Sequence, residues 1–444
     1  MSLVPTRYDA IRASDEVVAR LRERHPDLID LTTGRVLRLL EALGRPQDRL
    51  PNVIHVAGTN GKGSTVAFIR AIAEAAGLSV HAYTSPHLVR FNERIRLAGK
   101  LIEDEVLGQL LEEVLDVGEG VAASFFEVTT AAAFLAFSRV PADACVVEVG
   151  LGGRLDATNI IEKPVVTGIA SLGLDHQSFL GTRIEGIAAE KAGIAKPKVP
   201  LVTQLYPASM ANRVGEVAAE RGASWLPRGG AWDATVYQGQ LHYRDGHGKL
   251  DLPLPRLPGA HQAMNAALAV AMLRHQNAVP VPDSALRAAM GWAEWPARLQ
   301  RLGAGPLHDL LPKGAELWLD GGHNPAAARA IADHFRGHVP AGTPFHIVFG
   351  LLENKDAAGV LKPFRGRAAT LHAIPIEGHA HHAPATLASA AREQGITAMT
   401  ARDAEDALSW IARHADRAAP PIVLILGSLY LAGAILRKNA QPPG

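Results

Sequence analysis

Val53-Ile54-His55-Val56-Ala57-Gly58-Thr59-Asn60-Gly61-Lys62-Gly63-Ser64-Thr65 is an apolar, β-branched run that breaks into glycines around one lysine. A helix-forming sequence over 66–76 follows and stops at Gly77. That order reads as strand, phosphate-cradling loop, helix. Glycines let the backbone approach phosphate oxygens and turn N–H groups toward them, Lys62 adds a point charge, and the hydroxyl of Ser64 or Thr65 can face Mg²⁺. The spacing departs from the common G-x-x-x-x-G-K-[ST], because Gly58 and Gly61 lie close together and Gly63 stands between Lys62 and Ser64. Taken alone, the loop also fits a glycine-rich βα turn of a dinucleotide-binding or purely structural kind.

The chain around this loop has 444 residues, more than one hydrophobic core usually serves, so two domains of unequal size are expected. Lys+Arg 45 against Asp+Glu 44 leaves a formal charge of +1 with no block of one sign. Electrostatics therefore offer no general attraction to nucleic acid or to an anionic membrane, and any anion site must be local. One cysteine, Cys145, lies in an apolar run over 144–149, which excludes a disulfide framework and suits a reducing compartment. No apolar run approaches the ~20 residues of a membrane span, and the first twelve residues lack a signal-peptide core. A cytoplasmic monomer with small-molecule partners is expected.

Taken in order, helices are expected over 14–24 and 35–43, and after the glycine loop a strand over 80–84 ends in Ser85-Pro86-His87-Leu88. Helices over 103–117 and 128–137 precede a strand over 144–149 that carries Glu148. A carboxylate inside a buried strand costs several kcal/mol unless it is paired, with Arg154 as one candidate, or binds metal. The strand over 165–170 also ends in polar residues, Leu174-Asp175-His176. Polar strand ends of an open α/β sheet lie on its ligand-binding edge. Lys191, in a helix over 184–195, reads on pattern alone as a solvated charge. Turns at Gln238-Gly239 and Asp245-Gly246 mark a small β-rich tract, and a helix over 261–274 leads to a boundary in the Trp and Pro cluster 292–296. Beyond it strands over 317–320, 345–350, 369–374 and 422–426 alternate with helices, which predicts a second parallel sheet. Asp320-Gly321-Gly322-His323-Asn324-Pro325 is a further strand end, able either to close over a nucleotide or simply to cap a helix. His379, His381 and His382 have no tetrahedral metal spacing and read as a solvated loop.

Several motifs stand together in one order: Gly58-Thr59-Asn60-Gly61-Lys62-Gly63-Ser64, Thr84-Ser85-Pro86-His87-Leu88, Glu148-Val149-Gly150-Leu151-Gly152-Gly153-Arg154-Leu155-Asp156-Ala157-Thr158-Asn159, Leu174-Asp175-His176, Glu190-Lys191-Ala192-Gly193-Ile194 and Leu319-Asp320-Gly321-Gly322-His323-Asn324-Pro325. In this the chain resembles, nearly end to end, the folylpolyglutamate synthase and dihydrofolate synthase family of the Mur ligase superfamily. There the extra glycine of the phosphate loop is the norm. The resemblance implies an α/β protein: a P-loop parallel-sheet ATPase and pterin-binding domain over 1–297 with the β-rich tract, then a smaller Rossmann-like glutamate ligase domain over 298–444. It implies an ATP-dependent amide ligase in which a pteroate or folate carboxylate attacks the γ-phosphate and the amine of L-glutamate then displaces phosphate.

By the same resemblance, Gly58, Thr59, Asn60, Gly61, Lys62, Gly63, Ser64, Asn265, Arg298 and Asp320 are expected on ATP, and His323 near the closing phosphate region. Ser85, Glu148 and His176 are expected on Mg²⁺, with Ser64 near the phosphate-bound ion. Lys191 is expected to be carbamylated and thereby an anionic metal ligand, which reverses the solvated reading. Lys62, Lys191 and His323 are the expected catalytic groups. For the pterin the candidates are the loop from His25 to Thr32, the segment Ser124, Phe125, Phe126 and Glu127, and Leu155, Asp156 and Ala157, with Asp156 accepting ring N–H groups while Phe126 stacks. Another Mur-type amino-acid ligase, or a P-loop kinase or nucleotide-binding module, is the alternative to be separated by substrate.

Overall fold

Among the residues described by the computed structural model, 13–24, 31–416 and 418–444, the glycine loop follows the central strand of the larger sheet. Its strands are β1 (Asn52–Ala57), β2 (Val80–Tyr83), β3 (Ile95–Leu97), β4 (Lys100–Leu101), β5 (Ala144–Glu148), β6 (Val166–Ile169), β7 (Pro200–Thr203) and β8 (Ser224–Pro227). They lie in the order β4-β3-β2-β5-β1-β6-β7-β8. β2, β5, β1, β6, β7 and β8 run parallel, and the β3–β4 hairpin is an antiparallel edge. β1 is buried from Val53 onward because helices cover both faces of the sheet. Ile54 and Val56 pack with the helices Lys62–Ala75 and Ala260–Arg274, and Val53 packs with Phe125–Arg139. Burial on both faces is why this strand reads as a continuous apolar run. The sheet extends through β5 and β2 on one side of β1 and through β6 to β8 on the other, so a crevice opens at the carboxyl ends of β5, β1 and β6.

The β-rich tract is an antiparallel meander of β9 (Trp232–Tyr237), β10 (Gln240–Asp245) and β11 (Gly248–Pro253). Gln238 and Gly239 make the expected first turn, both at positive φ. The second turn falls one residue later than expected, at Gly246-His247. Asp245 stays in the ladder opposite Gly248, held by Arg274 Nε at 2.7 Å and by the Tyr243 hydroxyl at 3.0 Å.

The second sheet contains β12 (Gln300–Arg301), β13 (Glu316–Asp320), β14 (Phe345–Phe349), β15 (Thr370–Ala373), β16 (Ala398–Thr400) and β17 (Ile422–Leu426), in the order β12-β13-β17-β14-β15-β16. It is parallel except at β12. Ala297 and Leu299, at φ 56° and 44°, flank Arg298 just before β12. The helix Asp283–Trp292 and the β3–β4 hairpin are additions to the expected elements. The helix buries Ala285, Leu286, Ala289 and Met290, a helical spacing that was readable in the sequence. The hairpin strands are too short to show a period.

Candidate active site at the junction of the two sheets

At the end of β1 the backbone is forced into conformations that glycine tolerates. Gly58 has φ 147°, and a side chain there would meet Ala170 Cβ at 2.9 Å. Thr59 and Asn60 donate their N–H groups to Ser171 O at 2.8 and 3.2 Å, which fastens the loop to the segment after β6. Gly61, at φ 87°, opens the helix Lys62–Ala75 without a side-chain cap. The first-turn N–H groups therefore point outward unpaired within the helix, an anion-binding arrangement. Asn265 crowds Gly61, and the Trp295 ring lies 2.5 Å from where a Gly63 Cβ would stand. The Trp and Pro cluster read as a boundary is thus also a wall of the phosphate loop.

Glu148, the last residue of β5, is buried beside this loop. Burial pushes its carboxyl up to about 7, against the opposing pull of Lys62 and the Ser85 N–H. Both partners are distant, Lys62 Nζ at 3.9 Å and Ser85 N at 3.4 Å. Arg154 is not its partner: its guanidinium pairs with Glu190 at 2.8 Å, because the loop after Glu148 carries Arg154 back over the helix Ile184–Ala192. Lys191, in that helix, is buried, not solvated, and donates to Gly58 O at 3.0 Å. Burial first, and then the charge of Lys62, brings its amine down to about 7. His176 is held at φ 51° and brought down to about 4 by burial, so its ring is neutral at pH 7. Among the described residues no cluster of His, Cys, Asp and Glu is preformed for a metal ion. The under-compensated Glu148 carboxylate, the hydroxyls of Ser64 and Ser85 and the neutral His176 ring nonetheless form a mostly hard-oxygen donor set that fits a divalent cation.

The second sheet meets this edge through polar contacts. Asp320, at the end of β13, accepts N–H groups from Leu299 and Gly322, each at 2.7 Å, and thereby shapes the turns around Arg298 and His323. Burial raises its carboxyl against those bonds and Arg298. His323 has Nδ1 2.9 Å from Gly321 O and Nε2 3.3 Å from Asp175. Asn324 both caps the helix Pro325–His338 and exchanges side-chain amide bonds with Asn60, at 3.1 and 2.9 Å. The helix-cap reading of this strand end holds, and the same side chain also reaches the phosphate loop. Asp175 also pairs with Lys355, from the turn after β14. Burial alone would raise Asp175, but the His323 hydrogen bond and the neighbouring cationic groups, Lys355 among them, hold it far below the usual carboxylate range. Sequence reasoning missed Lys355, although the strand-end rule applied to β14 points to it.

A cavity of about 570 Å³ runs along this junction. Thr59, Asn60, Gly61, Lys62, Gly63, Ser64, Ser85, Glu148, His176, Asn265, Arg298, Asp320 and His323 line it, as do Ser124, Phe125, Phe126, Glu127, Leu155, Asp156 and Ala157. Gly58 and Lys191, joined by the Lys191 hydrogen bond to Gly58 O, do not line it. His25 lies outside the described residues, while Leu31 and Thr32 of its loop line the cavity. Ser124 and Glu127 form a capping box for Phe125–Arg139. Glu127 Oε2 takes Ser124 N at 2.5 Å and Arg35 Nε at 3.0 Å, whereas Oε1 is buried without a hydrogen-bond partner. The Phe126 ring lies directly over Gly150, where only glycine leaves it room. His379 stacks on the cavity residue Tyr430 at 3.8 Å, and His382 is 2.9 Å from Lys355 O, so the histidine loop packs beside the cavity.

Over 423 residues, 91% of this chain and 94% of the relative, the sequence is 34% identical to dihydrofolate synthase/folylpolyglutamate synthase of Bacillus subtilis. The chain belongs to that family. Residues 307–429 match the model of the Mur ligase, glutamate ligase domain. The synthase fold is shared throughout: E. coli FolC in complex with DHPP and ADP superposes with a TM-score of 0.86 at 31% identity, covering 96% of this chain and 98% of that one. A bifunctional folylpolyglutamate synthase/dihydrofolate synthase with Mn, AMPPNP and L-glutamate bound gives 0.83 at 32%, with 96% and 98% covered. No described helix of this synthase-family chain is long and apolar enough to cross a membrane.

Proposed function

We propose that the chain joins L-glutamate to the carboxylate of dihydropteroate, of a reduced folate, or of both, in an ATP-dependent reaction. The carrying observation is one cavity lined by the phosphate loop of the first sheet and by Arg298, Asp320 and His323 of the second. In the first step a carboxylate oxygen attacks the γ-phosphorus of ATP and ADP leaves, which gives an acyl phosphate. In the second the glutamate amine attacks the acyl carbon, inorganic phosphate leaves, and the amine proton is lost to solvent or to a cavity base. Bringing a carboxylate to a triphosphate is opposed by charge, and the Lys62 ammonium with the first-turn N–H groups of Lys62–Ala75 offsets that repulsion. Asn265, beside Gly61, and Arg298 and Asp320, from the second sheet, hold the nucleotide, and His323 sits beside Asp175 at the closing edge.

Ser64, Ser85, Glu148 and His176 are the residues that would hold Mg²⁺, which supplies charge neutralisation at the phosphates when bound. Lys191 joins them as a carbamate in this reading. Its buried amine, brought down to about 7, is substantially neutral at physiological pH and so nucleophilic toward CO₂. The pterin ring lies against Phe126, with Asp156 and the unpartnered Glu127 Oε1 as acceptors for its N–H groups. We place the division between the units at 297/298 and take the protein to act as a cytoplasmic monomer, consistent with one buried, free cysteine.

The test is purified protein with ATP, Mg²⁺ and labelled glutamate, offered dihydropteroate or tetrahydrofolate in parallel. ADP release that needs both the pterin acid and glutamate, with a product heavier by one glutamyl residue, is expected. Absence of ADP release with both acids refutes the reading, and phosphate transfer without amide formation favours a kinase.

A further inference from the structure

Strand β1 carries one imidazole into the core beneath the phosphate loop. His55 is fully buried, paired with Val147 across β1 and β5 and bonded to Thr158 of the turn Ala157–Ile160. An imidazole there carries a desolvation cost that leucine would not, so its hydrogen bond decides why it is tolerated. Burial brings the ring down to about 3, and the neutral ring carries a single N–H. Nε2 lies 2.8 Å from Thr158 Oγ1, and that hydroxyl lies 2.5 Å from Asp156 Oδ1. A threonine hydroxyl has one proton to give. With that proton on the Asp156 carboxylate, the oxygen accepts from His55 Nε2–H, and Nδ1 is left without a partner.

The relay ends on a carboxylate that lines the cavity. Asp156 Oδ1 takes the Thr158 hydroxyl and Thr158 N at 3.0 Å, while Oδ2 takes Leu151 N at 2.8 Å. The backbone N–H groups of Thr158, Leu151 and Gly150 hold the carboxylate together with the Thr158 hydroxyl. Of these donors only the hydroxyl is in turn engaged by a side chain outside the loop, that of His55.

We propose that His55, acting through Thr158, is a positioning residue that orients the Asp156 carboxylate for the N–H-bearing heterocycle of the acceptor substrate. The inference rests on the reading that Asp156 contacts that ring. It separates two duties along one strand: the glycine end of β1 serves the triphosphate, and His55 serves selection of the acid.

Steady-state kinetics on the full chain test it, with dihydropteroate varied at saturating Mg-ATP and glutamate and the unfolding temperature recorded for each variant. Thr158→Val, nearly isosteric but without the hydroxyl, is expected to raise the KM for dihydropteroate about tenfold, the scale of one charge-assisted hydrogen bond. The KM for ATP and kcat should stay within about twofold. Thr158→Ser should return the KM to within about twofold of the parent, and His55→Leu should act in the same direction as Thr158→Val. Asp156→Asn, which tests the underlying reading, should raise the same KM. If it does and Thr158→Val does not, the relay is overturned while the pterin contact stands. If Asp156→Asn leaves the KM unchanged, the pterin contact fails and takes the relay with it. A parallel rise in the ATP KM, or equal damage from Val and Ser at position 158, overturns the proposal in favour of a structural role.

Discussion

Replacing Glu148 by glutamine should make the metal-free protein more stable and the enzyme inactive. The carboxyl is buried at the end of β5, with Lys62 at 3.9 Å and one long N–H contact as compensation. Its displacement from 4.5 to about 7 corresponds to about 3 kcal/mol of destabilisation once the group is ionised in both states. The sign follows from the protons. Between pH 4.5 and 7 the unfolded chain has released the proton that the folded chain still holds, so stability falls as pH rises through that window and the penalty is constant above it. Glutamine does not titrate, and allowing about 1 kcal/mol for its imperfectly satisfied amide leaves a net gain of about 2 kcal/mol. Thermal unfolding in EDTA at pH 8.5 should therefore show the variant higher by about 4 °C, and at pH 4.5, where the amide cost of about 1 kcal/mol outweighs the remaining penalty, the variant should fall level with the parent or slightly below it. Turnover should fall more than about 100-fold, because the cation loses its anionic anchor. A variant less stable than the parent at both pH values, or a gap that does not vary with pH, refutes the account of Glu148 as an under-compensated buried carboxylate.

Lys191→Arg keeps a permanent charge at a site that we read as carbamylated, so activity should fall at least about 100-fold and bicarbonate should not restore it. The parent assayed in CO₂-depleted buffer should lose rate and regain it on adding bicarbonate, as initial velocities will show. Asn324→Ala removes a helix cap and the amide exchange with Asn60 together. It should lower stability by about 1 kcal/mol in denaturant titration and turnover about tenfold, with a smaller increment in an Asn60→Ala background. Gly63→Ala drives a methyl against the Trp295 ring and should raise the ATP KM about tenfold, with partial recovery when Trp295→Leu is added.

The phosphate loop, the parallel sheets and the polar strand ends were legible because each is a local signal: a β-branched run meets glycine, or an apolar run meets a carboxylate. That Lys191 is not solvated was legible only through the family resemblance. A lysine in a helix looks alike from its neighbours whether it faces water or Gly58 O, and burial from a distant loop is not written in local pattern. Arg154 shows the converse, since nearness in sequence to Glu148 suggested a pair that the course of the following loop forbids. Lys355 follows a strand end, which marks its neighbourhood, but its pairing with Asp175, far away in sequence, is not written in local pattern. The helix Asp283–Trp292 has a readable period in Ala285, Leu286, Ala289 and Met290, but it runs directly into the Trp and Pro cluster whose stronger signal is that of a boundary.

The junction between the sheets divides its labour in a way that follows from the strength and directionality of the contacts. Leu88 and Val89, from the loop after β2, pack on the second core, and apolar contact of that kind is strong but tolerant of small displacements. The contacts nearest the phosphate loop are of the opposite kind: the Asn60–Asn324 amide exchange and the pairing of Asp175 with His323 and Lys355 are directional. Buried polar pairs add little net stability, because desolvation offsets most of their attraction, but a displaced pair leaves its groups unsatisfied at a cost of several kcal/mol. The junction is therefore stabilised at Leu88 and Val89 and fixed in register at Asn60 and Asp175. The register contacts belong to the loops that carry Lys62 and His176 on one side and His323 on the other. A misdocked second sheet thus breaks hydrogen bonds at the place where reactants are to be aligned. That coupling is a physical reason for the catalytic edge of this protein to be polar even where no substrate is held.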